Sequence, residues 1–418
     1  MSEDAVSPPV KTEAVDVLII GAGPAGLVAA DHLSAAGHSV VVCDRMPSPA
    51  RKFLLAGRGG LNLTHSEPID AFLTRYGPAA SRLEPAIRAF DPAALRAYAA
   101  DLGQETFVGS SGRVFPKAMK ASPMLRALLA RLGERGVRFV ARAAWLGFDG
   151  PSISRLRLGD GSEQRFQAGA TLLALGGASW PRLGGTGDWV APLAAEGVAV
   201  RPLRPSNCGF VVGWSDVFAD KFAGTPLKRI AVRHGEQSLR GEAMISRTGI
   251  EGGAIYALSA ALRDTLEREG KATLHVDLRP DSDAAALAAK LDRPHGKQSR
   301  STFLRKALGL APVEIALLRE CAADAVSPAD VAARIKSLPV TVTATAGMER
   351  AISSAGGVDW SALGADFSLT ARPDVFVAGE MIDWEAPTGG YLLQACFATG
   401  LAAARGMAAR LASRDATS

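Results

Sequence analysis

Three glycines stand at G-x-G-x-x-G spacing in Gly21-Ala22-Gly23-Pro24-Ala25-Gly26, and Asp44 lies 18 positions beyond the last of them. Gly21 permits a tight turn, Gly23 lets backbone N–H groups approach a pyrophosphate, and Gly26 lets a helix pack closely on a strand. The N-terminus of the helix that follows adds partial positive charge, and a carboxylate at Asp44 can accept from a ribose hydroxyl. Arg45, beside it, belongs to the same candidate site. This is the chemistry of dinucleotide binding.

A second group lies near the C-terminus, in Gly379-Glu380 and Gly389-Gly390-Tyr391-Leu392. An acid after a strand could hold ribityl hydroxyls. A glycine-rich entry to a last helix could aim a positive helix end at the N1/C2=O edge of a reduced flavin. Gly389-Gly390 could equally be only a turn, and Glu380 a loop acid. Gly176-Gly177, closing another apolar run, would bring backbone near the cofactor. Between these groups, Lys52, with Arg51 and Arg58, could meet phosphate or an anionic substrate, or form a solvated basic stretch. Gly57, Asn62, Leu63 and Thr64 suit flavin or substrate contacts. His65 and Tyr391 could each move a proton, or each be structural. Asp383 and Glu385 are loop acids before Gly389, and Cys396 reads as core on the last helix.

The elements that must position these residues are legible. Asp16–Ile20 reads as a buried parallel strand. Leu27–Ala36 is helical with Gly37 as its cap, and Ser39–Cys43 is the next strand. Ala170–Leu175 and Asp374–Ala378 are further apolar strands. Gly136–Ala144 alternates like a strand that could border an adenine. A helix follows from about Leu392 to Leu411.

The chain has 418 residues, 48% hydrophobic, with 44 Gly and a net charge of +5. That length predicts two or three domains, and the composition excludes general disorder. The small basic excess suits a protein with a polyanionic cofactor, or an acidic partner such as RNA. Cys43, Cys208, Cys321 and Cys396 form no C-x-x-C pair, so neither a metal site nor a disulfide framework is expected, in keeping with a cytoplasmic location. No apolar run reads as long enough to span a bilayer, so no membrane association is expected. No G-x-S-x-G elbow surrounds a serine.

The ordered blocks narrow the reading. Arg51–His65, Gly112-Arg113-Val114-Phe115-Pro116, Gly176–Pro181 with Gly185–Asp188, Gly241-Glu242 with Thr248–Ile250, and Ala346 through Gly400 resemble the HI0933-like (also called BaiN-like) flavoproteins, within the wider two-dinucleotide-binding-domain flavoprotein group. One departure stands out: that family's second signature has Arg-Cys before Asn-Leu-Thr, where this chain has Gly60-Leu61. Chemistry needing a thiol proton donor there is in doubt, and the chain reads as a divergent branch.

The resemblance implies an α/β fold: a Rossmann-like FAD-binding domain, split in sequence, with an inserted β-rich domain carrying a helical lobe. The expected division is a disordered tail over 1–14, the FAD-binding domain over 15–197 and 345–418, and the insertion over 198–344. Within the insertion, 198–278 and 338–344 are β-rich and 279–337 helical. Pro339–Thr343 reads as a strand returning to the FAD domain. The implied cofactor is non-covalent FAD, with NAD(P)H as a transient donor; oxygen or a carrier remains open as electron partner, since no second GxGxxG unit is present.

Three functions follow as alternatives. One is an oxidoreductase on a small organic substrate. Another is reduction of a uracil base in ribosomal RNA, motivated by the basic run Lys290–Lys306, which is otherwise the exposed face of a lobe. The last is a non-catalytic FAD-binding redox module.

Overall fold

The computed structural model describes residues 12–57, 59–294 and 296–416. Arg58, His295 and most of the expected tail therefore lie outside the described residues. Thr12, Glu13 and Ala14, also expected in that tail, instead open strand β1 (Thr12–Ile20). They are held there because β1 pairs in parallel along its whole length, from Thr12 opposite Arg165 to Ile20 opposite Leu173.

The chain divides into two compact units, one running to Arg204 and resuming at Ser354, the other Pro205–Ser353. These limits lie later than the expected 198 and 344. Residues 200–204 stay with the first unit because Gly356 packs on the Pro202 carbonyl, where a Cβ would sit 2.1 Å from the oxygen. Residues 345–353 stay with the second, where Thr345 pairs with Phe210 and Ala351 joins the core.

The first unit is built on a twisted sheet. Its remaining strands are β2 (Val40–Asp44), β3 (Arg138–Ala141), β4 (Glu163–Leu173) and β5 (Arg372–Val377). Their order is β5-β4-β1-β2-β3, all parallel, with Ser368–Leu369 antiparallel on the outer edge and a hairpin, Ala144–Phe148 with Ile153–Arg157, extending from β4. Val17 to Ile20 and Ala170 to Leu173 are buried on both faces, as a parallel sheet covered by helices requires.

Helix α1 (Pro24–Ala35) follows β1, α2 (Arg51–Ala56) follows β2, and α3 (Tyr391–Asp415) ends the chain. Residues Tyr391–Arg414 of α3 are long and apolar enough to cross a membrane by length and composition, a run not recognised in the sequence. The physical reason is core packing: more than half of its most apolar window is buried. A Cβ on Gly400 would stand 2.4 Å from the Ala25 carbonyl oxygen of α1, so small residues let the two helices touch.

The second unit is a seven-stranded antiparallel sheet. Its order is Leu338–Val342, Ala272–Asp277, Pro226–His234, Gln237–Ser246, Gly249–Glu251, Phe210–Val211 and Ala344–Thr345. Leu338–Val342 thus closes this sheet rather than returning to the sheet of the first unit, because its register with Ala272–Asp277 buries Leu338, Val340 and Val342 in the second core. Four helices, Ala284–Leu291, Arg300–Leu308, Pro312–Cys321 and Pro328–Lys336, lie between those two strands in sequence. Asp283, Ser299 and Ser327 cap three of them by accepting a backbone N–H.

Candidate functional site

The glycine fingerprint forms the turn between β1 and α1. Gly21 has φ +109°, and a Cβ there would lie 2.2 Å from the Ala174 oxygen, so only glycine fits. A Cβ on Gly26 would strike the Gly21 oxygen at 2.0 Å. Gly23 differs: a Cβ there meets nothing within 4 Å. Pro24 occupies the first turn of α1, where its missing N–H costs nothing. At the end of β2, Asp44 accepts from the backbone N–H of Ala22 and of Met46, each at 2.8 Å. Burial pushes its carboxyl above the usual carboxylate value against the pull of those two donors. Arg45 pairs with Asp188 at 2.9 Å and donates to Thr186, which brings the Gly184–Asp188 loop alongside.

Helix α2 is tied to the fingerprint by the Ala50 N–H, which donates to the Ala22 oxygen at 2.9 Å. From it, Lys52 donates to Ser179 Oγ at 2.8 Å and to Glu380 Oε2 at 2.9 Å. Glu380 Oε1 accepts from the Ser354 N–H at 2.9 Å. Gly379 and Ala25 pack together, as do Gly177 and Ser354, so the ends of β4 and β5 meet the start of α1. The Gly176 carbonyl accepts from Trp189 Nε1 at 2.9 Å, and a Cβ on Gly176 would enter open space. Gly57 has a packing role: a Cβ there would lie 2.8 Å from the Ala121 nitrogen.

The signature loop meets the start of α3. Leu61 and Leu63 are fully buried, and their N–H groups donate to the carbonyls of Met119 and Val114. Leu61 therefore fills apolar space where the family's thiol would stand. The Cys396 thiol, beside Gly379, is pushed up to about 12 by burial. Thr64 is buried and donates to Gln394 Oε1 at 2.7 Å, while Gln394 Nε2 donates to the Phe90 carbonyl at 2.5 Å. Asn62 Oδ1 is buried with no hydrogen-bond partner. Leu392 is half-buried.

His65 and Tyr391 stack at 5.5 Å with an interplanar angle of 21°. His65 Nδ1 accepts from the Glu67 N–H at 3.1 Å, which leaves the proton on Nε2, and Nε2 donates to the Ser111 carbonyl at 3.0 Å. Tyr391 donates to Glu67 Oε1 at 2.6 Å, and Arg75 grips both Glu67 oxygens at 3.1 and 2.7 Å. Burial, then the hydrogen bond to Glu67, pushes the Tyr391 phenol well above its usual value. Burial would raise Glu67, but its hydrogen bonds from Arg75 and Tyr391 hold it below the usual carboxylate value. Both nitrogens of His65 and the hydroxyl of Tyr391 are thus engaged within the protein.

Sequence reasoning missed Glu67, Arg75, Gln394, Ser354 and Trp189. Glu67 follows the signature loop by two residues and Arg75 follows Glu67 by eight, whereas Gln394 lies 330 positions from Thr64. Asp383 lies half-buried in its loop, its carboxyl raised by burial and then by Asp359, and is not drawn into the Tyr391 cluster. The residues present fit a flavin dinucleotide. Asn62 offers a buried acceptor without a donor, where an imide N–H would satisfy it. Gly23 and Gly176 leave room that any side chain would fill.

The HI0933-like protein Rossmann domain matches residues 15–406. The 3-dehydro-bile acid delta(4,6)-reductase of Clostridium scindens is 26% identical over 94% of this chain and 98% of its own length. The ribosomal RNA dihydrouridine synthase of Haemophilus influenzae is 24% identical over 93% and 97%. Among solved structures, the 3-ketosteroid delta1-dehydrogenase of Sterolibacterium denitrificans superposes with a TM-score of 0.55 at 14% identity, covering 95% of this chain and all of that one, a likeness of fold. The chain belongs to the HI0933-like family and is an FAD-dependent oxidoreductase.

Proposed function

We propose that this protein reduces a carbon–carbon double bond conjugated to a carbonyl in a small, largely apolar substrate, with NAD(P)H reducing the flavin. The observation that carries the reading is the signature loop, where Asn62 Oδ1 is a buried acceptor without a partner and where His65, stacked on Tyr391, has its proton, like that of Tyr391, held by a protein acceptor. Such a site positions rather than titrates. It suits a reaction in which the cofactor supplies the hydride and the remaining proton can come from water. The names of both curated relatives describe reductions, and saturating a uridine ring, like reducing a bile-acid alkene, adds two hydrogens across C=C.

When bound, FAD would supply the hydride chemistry that couples oxidation of NAD(P)H to reduction of the alkene. The chain's part would be divided. Gly21 to Gly26 and the α1 N-terminus would receive the pyrophosphate, Asp44 the ribose, and Arg45 the adenosine end. Lys52 would neutralise phosphate charge, and Glu380 would accept from ribityl hydroxyls. Gly389, Gly390 and Leu392 would bring the α3 N-terminus to the flavin ring, and Asn62 would accept from its imide. Leu63, Thr64 and Tyr391 would hold that loop in place.

A second reading, reduction of a uracil in ribosomal RNA, is favoured by the exposed Lys290, Arg293, Lys297, Arg305 and Lys306 of the second unit and by the Haemophilus relative. One experiment separates the two. The purified flavoprotein is treated anaerobically with NADH and with NADPH while flavin absorbance is followed. It is then offered a 4-en-3-one steroid and, separately, a ribosomal RNA fragment. Bleaching followed by a steroid product heavier by two hydrogens supports the first reading. Dihydrouridine in the RNA with no steroid turnover supports the second. A flavin that neither nucleotide bleaches removes NAD(P)H as the donor.

A further inference from the structure

The hairpin Ala144–Phe148 with Ile153–Arg157, which extends the first unit's sheet from β4, has no role in the site so far. Its register sets one row of residues across four strands. Gly147 stands opposite Arg155, Arg155 opposite Arg165, and Arg165 opposite Thr12 at the start of β1. The row holds two cations side by side and no acid. Like charges directly opposite one another destabilise a strand pair. Two residues along the same face the opposite arrangement stands, with Arg157 facing Glu163.

The two arginines are poorly matched within the protein. Arg165 reaches Asp149 at 3.1 Å. Arg155 is half-buried and pairs with no carboxylate among the described residues. The Nε atoms of both are buried without an acceptor, a state that folded proteins seldom leave unanswered. Gly147 places no side chain beside Arg155; its φ of +116° favours glycine, and the strand bulges between Trp145 and Gly147. The row is also remote from the glycine turn. Leu173, opposite Ile20, lies eight residues along β4 from Arg165, about 26 Å at the rise of a strand. Two guanidinium groups on adjacent strands of one face, with N–H donors to spare, suit an oxyanion of more than one negative charge that accepts from both.

We infer that Arg155 and Arg165 form an anion site for a phosphate group, free or carried on a small ester, separate from the dinucleotide site and independent of the reaction proposed above. A phosphate there would offset the opposed charges and accept from the two Nε–H groups.

The test uses the FAD-loaded full chain, so that the glycine turn is already occupied. Inorganic phosphate is titrated by calorimetry in chloride buffer at constant ionic strength, and melting temperatures are taken with phosphate and with chloride alone. The wild type should bind one phosphate with half-saturation at about 1 mM, the strength of two charge-assisted contacts. Arg155→Gln should weaken it about tenfold. In chloride alone that variant should melt no lower than the wild type, because an opposed charge is gone; in phosphate the wild type should gain more. Arg155→Lys, which keeps the charge and loses the planar fork, should also bind more weakly than the wild type. Glycerol phosphate, titrated in the same way, separates the sources: tighter binding than phosphate makes an ester the occupant, weaker binding the free ion. A wild type that shows no saturable phosphate binding overturns the site. So does equal binding by the wild type and Arg155→Gln, which would put the phosphate elsewhere. Neither failure touches the proposed reduction.

Discussion

Gly390 lies with its backbone against Thr64: a Cβ on Gly390 would stand 2.5 Å from the Thr64 Cα, and φ there is +95°. The start of the last helix is thereby pressed onto the signature loop. Gly390→Ala meets both obstacles at once, a backbone clash and a left-handed conformation. Overpacking alone costs about 1–3 kcal/mol, and the conformation adds about 1 kcal/mol. The variant is expected to melt several degrees lower and to purify with little flavin, read by thermal scans and by the ratio of 450 nm to 280 nm absorbance. Full flavin content at unchanged melting temperature would show that the loop and helix are not coupled.

The same junction depends on Gln394, which is fully buried and joins Thr64 to the Phe90 carbonyl. Gln394→Leu keeps the volume but leaves the Thr64 hydroxyl and the Phe90 carbonyl without their partner. Each stranded buried group costs about 1–3 kcal/mol. Denaturant unfolding should show a loss within that range or above it, with the slope unchanged. Gln394→Glu should be no better, since a carboxylate cannot donate to the Phe90 carbonyl.

How much of this was legible in the sequence follows from distance along the chain. The fingerprint turn and Asp44 fall within one strand–helix–strand unit, where local rules on turns, caps and spacing apply, so their places at its turns were readable, while the Ala22 and Met46 N–H groups that Asp44 accepts from were not. Strand β1 was read short because it opens on the polar Thr12 and Glu13, which pairing with β4 and the Glu13–Arg138 ion pair hold in place. Thr64 and Tyr391 were readable as candidates, but not what they do. Their partners Gln394 and Glu67 lie 330 and 324 positions away, and nothing local marks a glutamate before Pro68 as the acceptor of a tyrosine at the far end. His65 and Tyr391 were read as groups able to move a proton. The structure shows both occupied, a fact set by third parties, Ser111 and Glu67.

Glu67 and Tyr391 give the junction a pH dependence with a definite sign. The Glu67 carboxyl is held below its ordinary 4.5, so its contribution to stability is present above that value and is lost as pH falls through the lower folded value. Tyr391 is raised above its ordinary 10 by burial and then by Glu67, so its contribution is full below 10 and fades as pH climbs beyond. Glu67→Gln should remove about 1.5–3 kcal/mol at neutral pH, as for hydrogen bonds to a charged group, and flatten the acid side of the profile. Melting temperatures of both proteins from pH 3.5 to 8 decide it. Parallel curves would mean that Glu67 titrates no differently folded than unfolded.

Asp44 carries two backbone donors and a carboxyl raised chiefly by burial. In Asp44→Asn one oxygen becomes an NH2, which must face either a backbone N–H or the ribose it would otherwise bind. FAD affinity is expected to fall ten- to a hundredfold, equivalent to about 1–3 kcal/mol. Flavin fluorescence released on dilution measures it. Arg45→Ala, which removes an exposed ion pair to Asp188, should change affinity much less, by about fivefold or less.

Lys52 and Glu380 offer a way to separate a structural pair from a cofactor contact. They meet at 2.9 Å with side chains only 27% and 13% exposed, so removing one partner leaves the other charge poorly hydrated. Lys52→Met should destabilise by about 1–3 kcal/mol, because Glu380 then keeps only the protein donors of Ser354. Removing both charges, with Lys52→Met and Glu380→Gln together, should restore part of that stability, the mark of a coupled pair. FAD affinity should behave differently. If Lys52 serves the pyrophosphate and Glu380 the ribityl chain, each substitution removes a separate contact, and the double variant must bind FAD more weakly than either single one. A double variant that regains both stability and FAD affinity would make the pair purely structural and move the phosphate contact elsewhere.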